Sequence, residues 1–454
     1  MIYYDVSDLL DHFRRCMQAG GVARVSTVTV AHFQEISKKG DYCLIAYHPG
    51  MKKTVVADPA TFPVNATTGP EFCAYFGLRF KGPHKLDGYL SQRYRSRGAR
   101  LIHKWRLTIA NALTQGKTFR RKGLGALAAN GTSTAPAVWR EPEFAPGDLV
   151  LIAGGTRGQG PFLSFLEQAR KQQGVRLAQM LYDVLPLSDP QYFLQGHPYL
   201  FADWLIRMNR TIDLVITCSR QTAQDFTTAI TQRGEKAAPV SVVALAHEFL
   251  ENAPQAQAGV FTPLYEQIST PVLQAARLPY VLCVGTREIR KNNLGLARVW
   301  ESLGKKHDLK LPRLIFAGRQ GWMNEEFDRF LQCTGNANGG IVMVESPSDD
   351  EVAYLYKNCL FSVFPSFCEG WGLPIGESLW YGRPAITSNC SAMPEVAGEY
   401  ADYADPYDLE SLRTAVERML DPAYRQARVE AIAGMKKRNW KHFSDDLWRE
   451  LKSA

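Results

Sequence analysis

The sequence predicts an α/β protein built from two doubly wound parallel sheets that face each other across a cleft. Three observations carry that prediction. The chain has 454 residues, enough for two to three domains with sizeable cores. Short, almost wholly apolar runs alternate with helical stretches, the pattern of parallel strands covered on both faces. Those runs fall into two series, separated by a Pro- and Gln-rich stretch at residues 252–278.

The first series comprises residues 42–47, 148–153, 175–181, 212–218 and 240–245. The second comprises residues 280–284, 314–317, 341–344, 360–364 and 385–388. Two series imply two Rossmann-like domains, expected at 1–258 and 279–430, with a linker at 259–278. Residues 431–454 place Trp440, Phe443, Leu447 and Leu451 at helical spacing. They read as an amphipathic C-terminal helix, expected to cross back.

Composition narrows the function classes. At 45% hydrophobic and 22% charged, the chain is neither disordered nor fibrous. No run approaches the roughly 18 apolar residues of a membrane-spanning helix. The start, MIYYDVSDLL, lacks the basic opening of a secretory signal. None of the 9 cysteines forms a CxxC pair, and Cys218, Cys283 and Cys359 lie in apolar runs as small hydrophobes, which points to a reduced, cytosolic enzyme. The net charge of +8 is concentrated in residues 81–123, where twelve Lys and Arg stand against Asp87 alone. Leu101, Trp105, Ile109 and Leu113 interleave with that charge. Such a stretch docks on anionic lipid or an acidic acceptor, or is simply a solvated helix face. Nucleic acid is not expected, because no recognition motif accompanies the charge.

Chemistry belongs where the C-terminal ends of parallel strands meet a crevice. After residues 280–284 come Gly285, Thr286, Arg287, Glu288, Ile289, Arg290, Lys291 and Asn292. Three cations behind a glycine suit a diphosphate, Arg by forked contacts and Lys as a point charge. The turn at residues 318–322, GRQGW, lets a ligand approach backbone. Residues 364–377, FPSFCEGWGLPIGE, are the most informative. Pro374 is suited to the first position of a helix, which sets the amides of Gly372 and Leu373 at an anion-binding N-terminus. Gly370 and Gly372 remove side chains that would block close approach. Glu369 before the turn and Glu377 within the first helical turn then face one pocket. Asp349 and Asp350 precede a helix and read as caps. His197 and His247 read as structural, although His247 follows the last strand of the first series and can line the cleft.

Residues 364–398, FPSFCEGWGLPIGESLWYGRPAITSNCSAMPEVAG, resemble the signature region of the retaining GT-B glycosyltransferases of family 4. VGTREIRKN at 284–292 resembles the diphosphate loop of that family, and SDDEVAYLY at 348–356 and Asp405-Pro406 extend the likeness. DVSDLL at 5–10, GGVARVS at 20–26, YDVLPLSDP at 182–190 and CSRQTAQDF at 218–226 resemble its bacterial polysaccharide mannosyl- and rhamnosyltransferase branch. The basic segment is not covered and looks like an insertion.

The resemblance implies a GT-B fold, a nucleotide-diphosphate sugar held mainly by the C-terminal domain, and an acceptor on the N-terminal one. It implies that Glu369 contacts the donor sugar and Glu377 the ribose. Lys291, with Arg287 or Arg290, and the amides at Gly372 and Leu373 would hold the diphosphate. Gly20, Gly21 and Arg24 would form the N-terminal glycine loop at the donor phosphates, and no metal or other cofactor would be needed. Two positions depart from the family pattern. Thr286 stands where many members carry Arg. Tyr182-Asp183 stands where many carry His-Asp, so Asp183 is assigned to a sugar or acceptor hydroxyl, with a turn-forming role before Pro186 as the alternative.

The implied activity is hexosyl transfer with retention, by front-face attack, with mannose from GDP-mannose as the expected donor. The implied acceptor is a glycan or a polyprenyl-diphosphate-linked oligosaccharide, met on the cytoplasmic face at anionic inner-leaflet lipid. Two other readings stay open: a GT-B synthase or phosphorylase on soluble sugars, and a catalytically silent sugar- or lipid-binding module.

Overall fold

The computed structural model describes residues 1–14, 21–37, 40–48, 50–62, 69–78, 138–155, 160–250, 268–307 and 311–454. The basic segment 81–123, Gly20 and the first part of the expected linker lie outside the described residues.

Among the described residues, thirteen strands form two sheets. The first contains β1 (Ile2–Asp5), β2 (Tyr42–His48), β3 (Lys53–Ala57), β4 (Leu149–Ile152), β5 (Arg176–Leu181), β6 (Leu214–Thr217) and β7 (Val240–Val242). Its order is β3-β2-β1-β4-β5-β6-β7, parallel throughout except at the antiparallel β2–β3 edge. The second contains β8 (Tyr280–Val284), β9 (Arg313–Ala317), β10 (Ile341–Val344), β11 (Ser362–Phe364), β12 (Ala385–Ser388) and β13 (Asp402–Ala404). It runs β10-β9-β8-β11-β12-β13, all parallel. This is the GT-B arrangement of two Rossmann-like domains.

Every run expected as a strand is one, with two differences of note. The run expected at 240–245 ends as a strand at Val242, although Val243, Leu245 and Ala246 remain buried. β1, β3 and β13 carry too little pattern to be read beforehand. β1 is four residues long with no preceding turn, β3 is an edge strand opening on the exposed Lys53, and β13 is the tripeptide DYA.

Both faces of each sheet are covered. Leu151 and Ala178 pack into one apolar cluster while their strand neighbours Val150, Ile152 and Leu177 pack into another, as period-2 alternation requires. The last helix, Trp440–Ser453, is capped by Asn439, whose side chain accepts from the amide of His442. It lies on the N-terminal domain. Trp448 meets Phe33 edge-on at 4.9 Å, and Trp440 Nε1 donates to the carbonyl of Glu248 at 2.9 Å.

The domains touch directly. Glu395 of the C-terminal domain accepts from the amides of Arg220 and Gln221, both at 2.8 Å. A carboxylate thereby caps the positive end of helix Arg220–Thr231 across the interface. Among the described residues no helix is long and apolar enough to cross a membrane.

Candidate active site

Strand order reverses between β8 and β11, so their connections leave toward opposite faces and open a crevice at the C-terminal strand ends. Two loops line it, residues 285–292 after β8 and residues 365–372 after β11. The first is braced by the loop after β9: Gly285 N donates to Ala317 O at 3.0 Å and Arg287 N to Arg319 O at 2.9 Å. A Cβ on Gly318 would lie 2.0 Å from Gly285 O, and one on Gly321 would lie 2.9 Å from Thr286 Cγ2. The glycines of GRQGW therefore admit the neighbouring loop, not a ligand, which corrects the reading of that turn.

The short 3₁₀ turn Ile289–Lys291 aims two consecutive cations at one carboxylate. Lys291 Nζ lies 2.6 Å from Glu369 Oε1, and Arg290 Nη1 lies 2.6 Å from Glu369 Oε2. Burial by itself would raise the pKa of Glu369, but the two cations outweigh it and hold the carboxyl at about 2. Burial pushes Lys291 down, opposed by Glu369, and its ammonium sits over the Phe364 ring at 4.5 Å. Arg290 also pairs with Glu288 at 2.5 Å and donates to Cys368 O at 2.9 Å. Ser391 fixes the Glu369 backbone, donating to its carbonyl at 2.7 Å and accepting from its amide at 3.1 Å.

Arg290 is thus the arginine that accompanies Lys291. Arg287 is turned away: its guanidinium donates to Gly318 O and pairs with Glu345, and its buried Nε has no partner.

Helix Leu373–Trp380 begins one residue earlier than expected, with Pro374 in its second position and Gly372 as N-cap at φ 112°. That left-handed conformation favours glycine, and a Cβ there would meet Ile375 Cδ1 at 2.8 Å. The amides of the first turn are aligned as an anion site. Glu377, inside this helix, receives Arg24 Nη1 at 2.9 Å and the Tyr356 hydroxyl at 3.2 Å. Burial dominates and raises its pKa, Arg24 opposing. The other arm of Arg24 reaches Asp349 at 2.9 Å, and its guanidinium stacks over Phe249 at 4.9 Å. Arg24 stands in the first turn of helix Val22–Ile36, with Gly21 as N-cap at φ 53°, so this helix start brings an N-terminal-domain cation to the crevice. The capping reading of Asp349 is corrected. Ser348 is the N-cap of helix Asp349–Asn358, in a capping box with Glu351, which leaves Asp349 for Arg24.

Gly370 takes a different part from the one expected. A Cβ there would lie 2.0 Å from Tyr182 O and 2.8 Å from Asp183 Cβ. Its own carbonyl accepts from Ser219 Oγ at 2.9 Å and Cys218 Sγ at 3.2 Å. The space a side chain would fill is taken by the opposite domain. Asp183 accepts from the amide of Leu185 at 3.2 Å, the turn-forming role, and also lines a cavity of about 240 Å³ with Asp8, Gly154 and Gly155. That cavity lies at the β1–β4 reversal of the N-terminal sheet, its own switch point. His247 is structural: Nδ1 accepts from Arg438 N at 2.9 Å, so Nε2 donates to Val396 O at 2.9 Å. His197 stacks on Phe193.

HepE of Anabaena, solved in complex with UDP and glucose, superposes with a TM-score of 0.56 at 14% identity, covering 100% of this chain and 99% of that one. A structure described as trehalose-6-phosphate from E. coli bound with UDP-2-fluoro glucose gives 0.55 at 13%, with 100% and 99% covered. At such identities the likeness is one of fold, and the class is GT-B. Residues 266–435 match the family described as Glycosyl transferases group 1. O-antigen chain mannosyltransferase B of Escherichia coli is 33% identical over 177 residues, 38% of this chain and 46% of that relative. Serotype-specific mannosyltransferase WbdA, also of Escherichia coli, is 24% identical over 313 residues, 68% of this chain and 37% of that relative. The chain spans less than half the length of these curated relatives. Its fold is GT-B, and residues 266–435 are similar to the glycosyl transferases group 1 family.

Proposed function

We propose that this protein is a retaining, metal-independent hexosyltransferase that moves mannose from GDP-mannose to a glycan or lipid-linked oligosaccharide of a bacterial surface polysaccharide. The observation that carries the reading is Glu369 held between Arg290 and Lys291, beside the N-terminus of a helix that carries Glu377 in its second turn, one turn later than the sequence suggests. The curated mannosyltransferase relatives support the choice of sugar.

In this reading the diphosphate sits on the first-turn amides of helix Leu373–Trp380 and draws on Arg290 and Lys291, which stabilise charge on the leaving group. Glu377 exchanges Arg24 for the ribose hydroxyls. Glu369 is ionised at every working pH, so it is a weak base. Its task is to accept hydrogen bonds from the donor sugar and to face positive charge developing at the anomeric carbon. The bond from that carbon to the diphosphate oxygen breaks, and one to the acceptor hydroxyl forms on the same face. The hydroxyl proton passes to the departing phosphate oxygen. Contact between the domains through Gly370 excludes water and so suppresses donor hydrolysis.

The basic segment 81–123 supports attachment to anionic inner-leaflet lipid, at about 1 kcal/mol per engaged Lys or Arg. Flotation with anionic liposomes, lost at high salt, is expected; equal recovery on neutral liposomes contradicts it. The donor reading is tested by incubating the protein with GDP-mannose, UDP-glucose or dTDP-rhamnose and an α-mannose oligosaccharide in EDTA. An α-linked mannose product is expected with GDP-mannose. A β-linked product, or transfer only with added Mg²⁺ or Mn²⁺, overturns the mechanism.

A further inference from the structure

A second cavity, of about 520 Å³, lies behind the loop that carries Arg290 and Lys291. We propose that it is a secondary glycan subsite, which holds neutral hexose units of the acceptor chain away from the reacting end. The inference rests on the glycosyltransferase reading for its ligand class, and on the proposed mannose donor for the sugar.

Three features of the cavity point to this ligand. The first is an aromatic wall assembled from both domains. Tyr192 of the N-terminal domain stacks on Phe367 at 5.1 Å and 3°, and Phe367 meets Tyr407 at 5.0 Å. The Tyr192 and Tyr407 hydroxyls lie 3.3 Å apart, and Trp322 Nε1 holds the Tyr192 carbonyl at 3.1 Å. Tyr407 is nevertheless 65% exposed, an aromatic surface that the fold braces but leaves uncovered. A pyranose presents a flat C–H face that packs on such a ring.

The second feature is the polar lining. Asn293, Arg298 and Glu326 supply amide, guanidinium and carboxylate groups, the mixture that reads ring hydroxyls. Arg298 and Glu326 are exposed and form no ion pair with each other or with any other described residue.

The third feature separates this cavity from the donor crevice. Glu288 lies in its wall but is buried and paired with Arg290 at 2.5 Å, which leaves Glu326 against Arg298 as the exposed charges of the lining, with no net positive charge. That balance opposes a diphosphate and suits a neutral sugar. The volume falls within the roughly 300–1,000 Å³ of small-ligand sites. The wall is shared with the reaction centre, because Arg290 also pairs with Glu369 and Phe367 belongs to the same loop. A chain whose end is at Glu369 would thus have its earlier units within reach of this wall.

The test measures binding of α-linked mannose oligosaccharides, from one to six units, by saturation-transfer NMR and calorimetry with no nucleotide sugar present. Wild type should bind longer oligosaccharides more tightly. Tyr407→Ala and Arg298→Ala should each weaken hexasaccharide binding by up to about tenfold. GDP-mannose binding and transfer to the shortest acceptor should stay within about twofold. Tyr407→Phe, which keeps the ring and loses the contact with the Tyr192 hydroxyl, should bind like wild type. Absence of hexasaccharide binding to wild type, unchanged binding by both variants, or equal loss of donor and hexasaccharide would overturn the subsite. If length-dependent binding is lost in Tyr407→Ala while no nucleotide sugar reacts, the subsite stands and the transferase reading falls.

Discussion

Glu369 and Glu377 are two buried carboxylates in one loop-helix segment, and their surroundings drive them in opposite directions. Glu369 is flanked by two cations of its own domain and held at about pH 2. Glu377 meets a tyrosine and a single cation, Arg24, which comes from the other domain, and burial raises its pKa. The charge on Glu369 is therefore built into the C-terminal domain. That on Glu377 depends on how the domains meet. On the proposed function, the first position serves the chemistry and the second exchanges a protein cation for a ligand.

The cations around Glu369 offer the largest effect. Lys291→Ala should cut transfer by about 10²- to 10³-fold, the scale on which preorganised charge acts. Arg287→Ala should cost tenfold or less by the same measure, since its guanidinium faces Gly318 and Glu345. Equal losses would mean that Arg287 acts on transfer as strongly as Lys291, against its orientation in the structure. Next comes the contact between domains. Gly370→Ala puts a Cβ 2.0 Å from Tyr182 O, so the domains must separate. Transfer should fall by about 10²-fold, the cost of misplacing reacting groups by an ångström, and small-angle scattering should report a larger radius. An unchanged radius and rate would show that Gly370 does not set the closure.

The smallest effect is on stability against pH. A carboxyl held below its ordinary value stabilises the fold above that value. The contribution of Glu369 is thus present above about pH 4.5 and lost as pH falls toward 2. A raised carboxyl does the reverse, so Glu377 subtracts stability as pH rises above 4.5. Urea midpoints across pH 2 to 8 should show a flatter acid limb in Glu369→Gln. They should show a relative gain above pH 4.5 in Glu377→Gln. Parallel profiles for both variants would contradict the contrast.

The fold was largely legible because fully apolar runs such as 280–284 and 385–388 admit few alternatives. β1 escaped notice because four residues at the start of a chain carry no periodicity. Glu369, Glu377 and Lys291 were legible because glycines, a proline and a preceding strand define their backbone setting. The choice between Arg290 and Arg287 was not, since it depends on which way the 3₁₀ turn Ile289–Lys291 directs its side chains. Long-range partners were likewise hidden. Arg24 lies 353 residues from Glu377, and the steric demand at Gly370 comes from the Tyr182 carbonyl of another domain. Nothing local in either segment encodes these contacts. The aromatic wall at Tyr192, Phe367 and Tyr407 was missed for the same reason.

The division of labour between the two carboxylates is tested most directly by steady-state kinetics of Glu369→Ala and Glu377→Ala, with GDP-mannose affinity measured in parallel. Glu369→Ala should lower kcat by about 10²-fold or more with donor affinity nearly unchanged, and Glu377→Ala should chiefly raise the donor KM. Near-wild-type kcat in Glu369→Ala, or the same kinetic signature in both variants, would contradict the account.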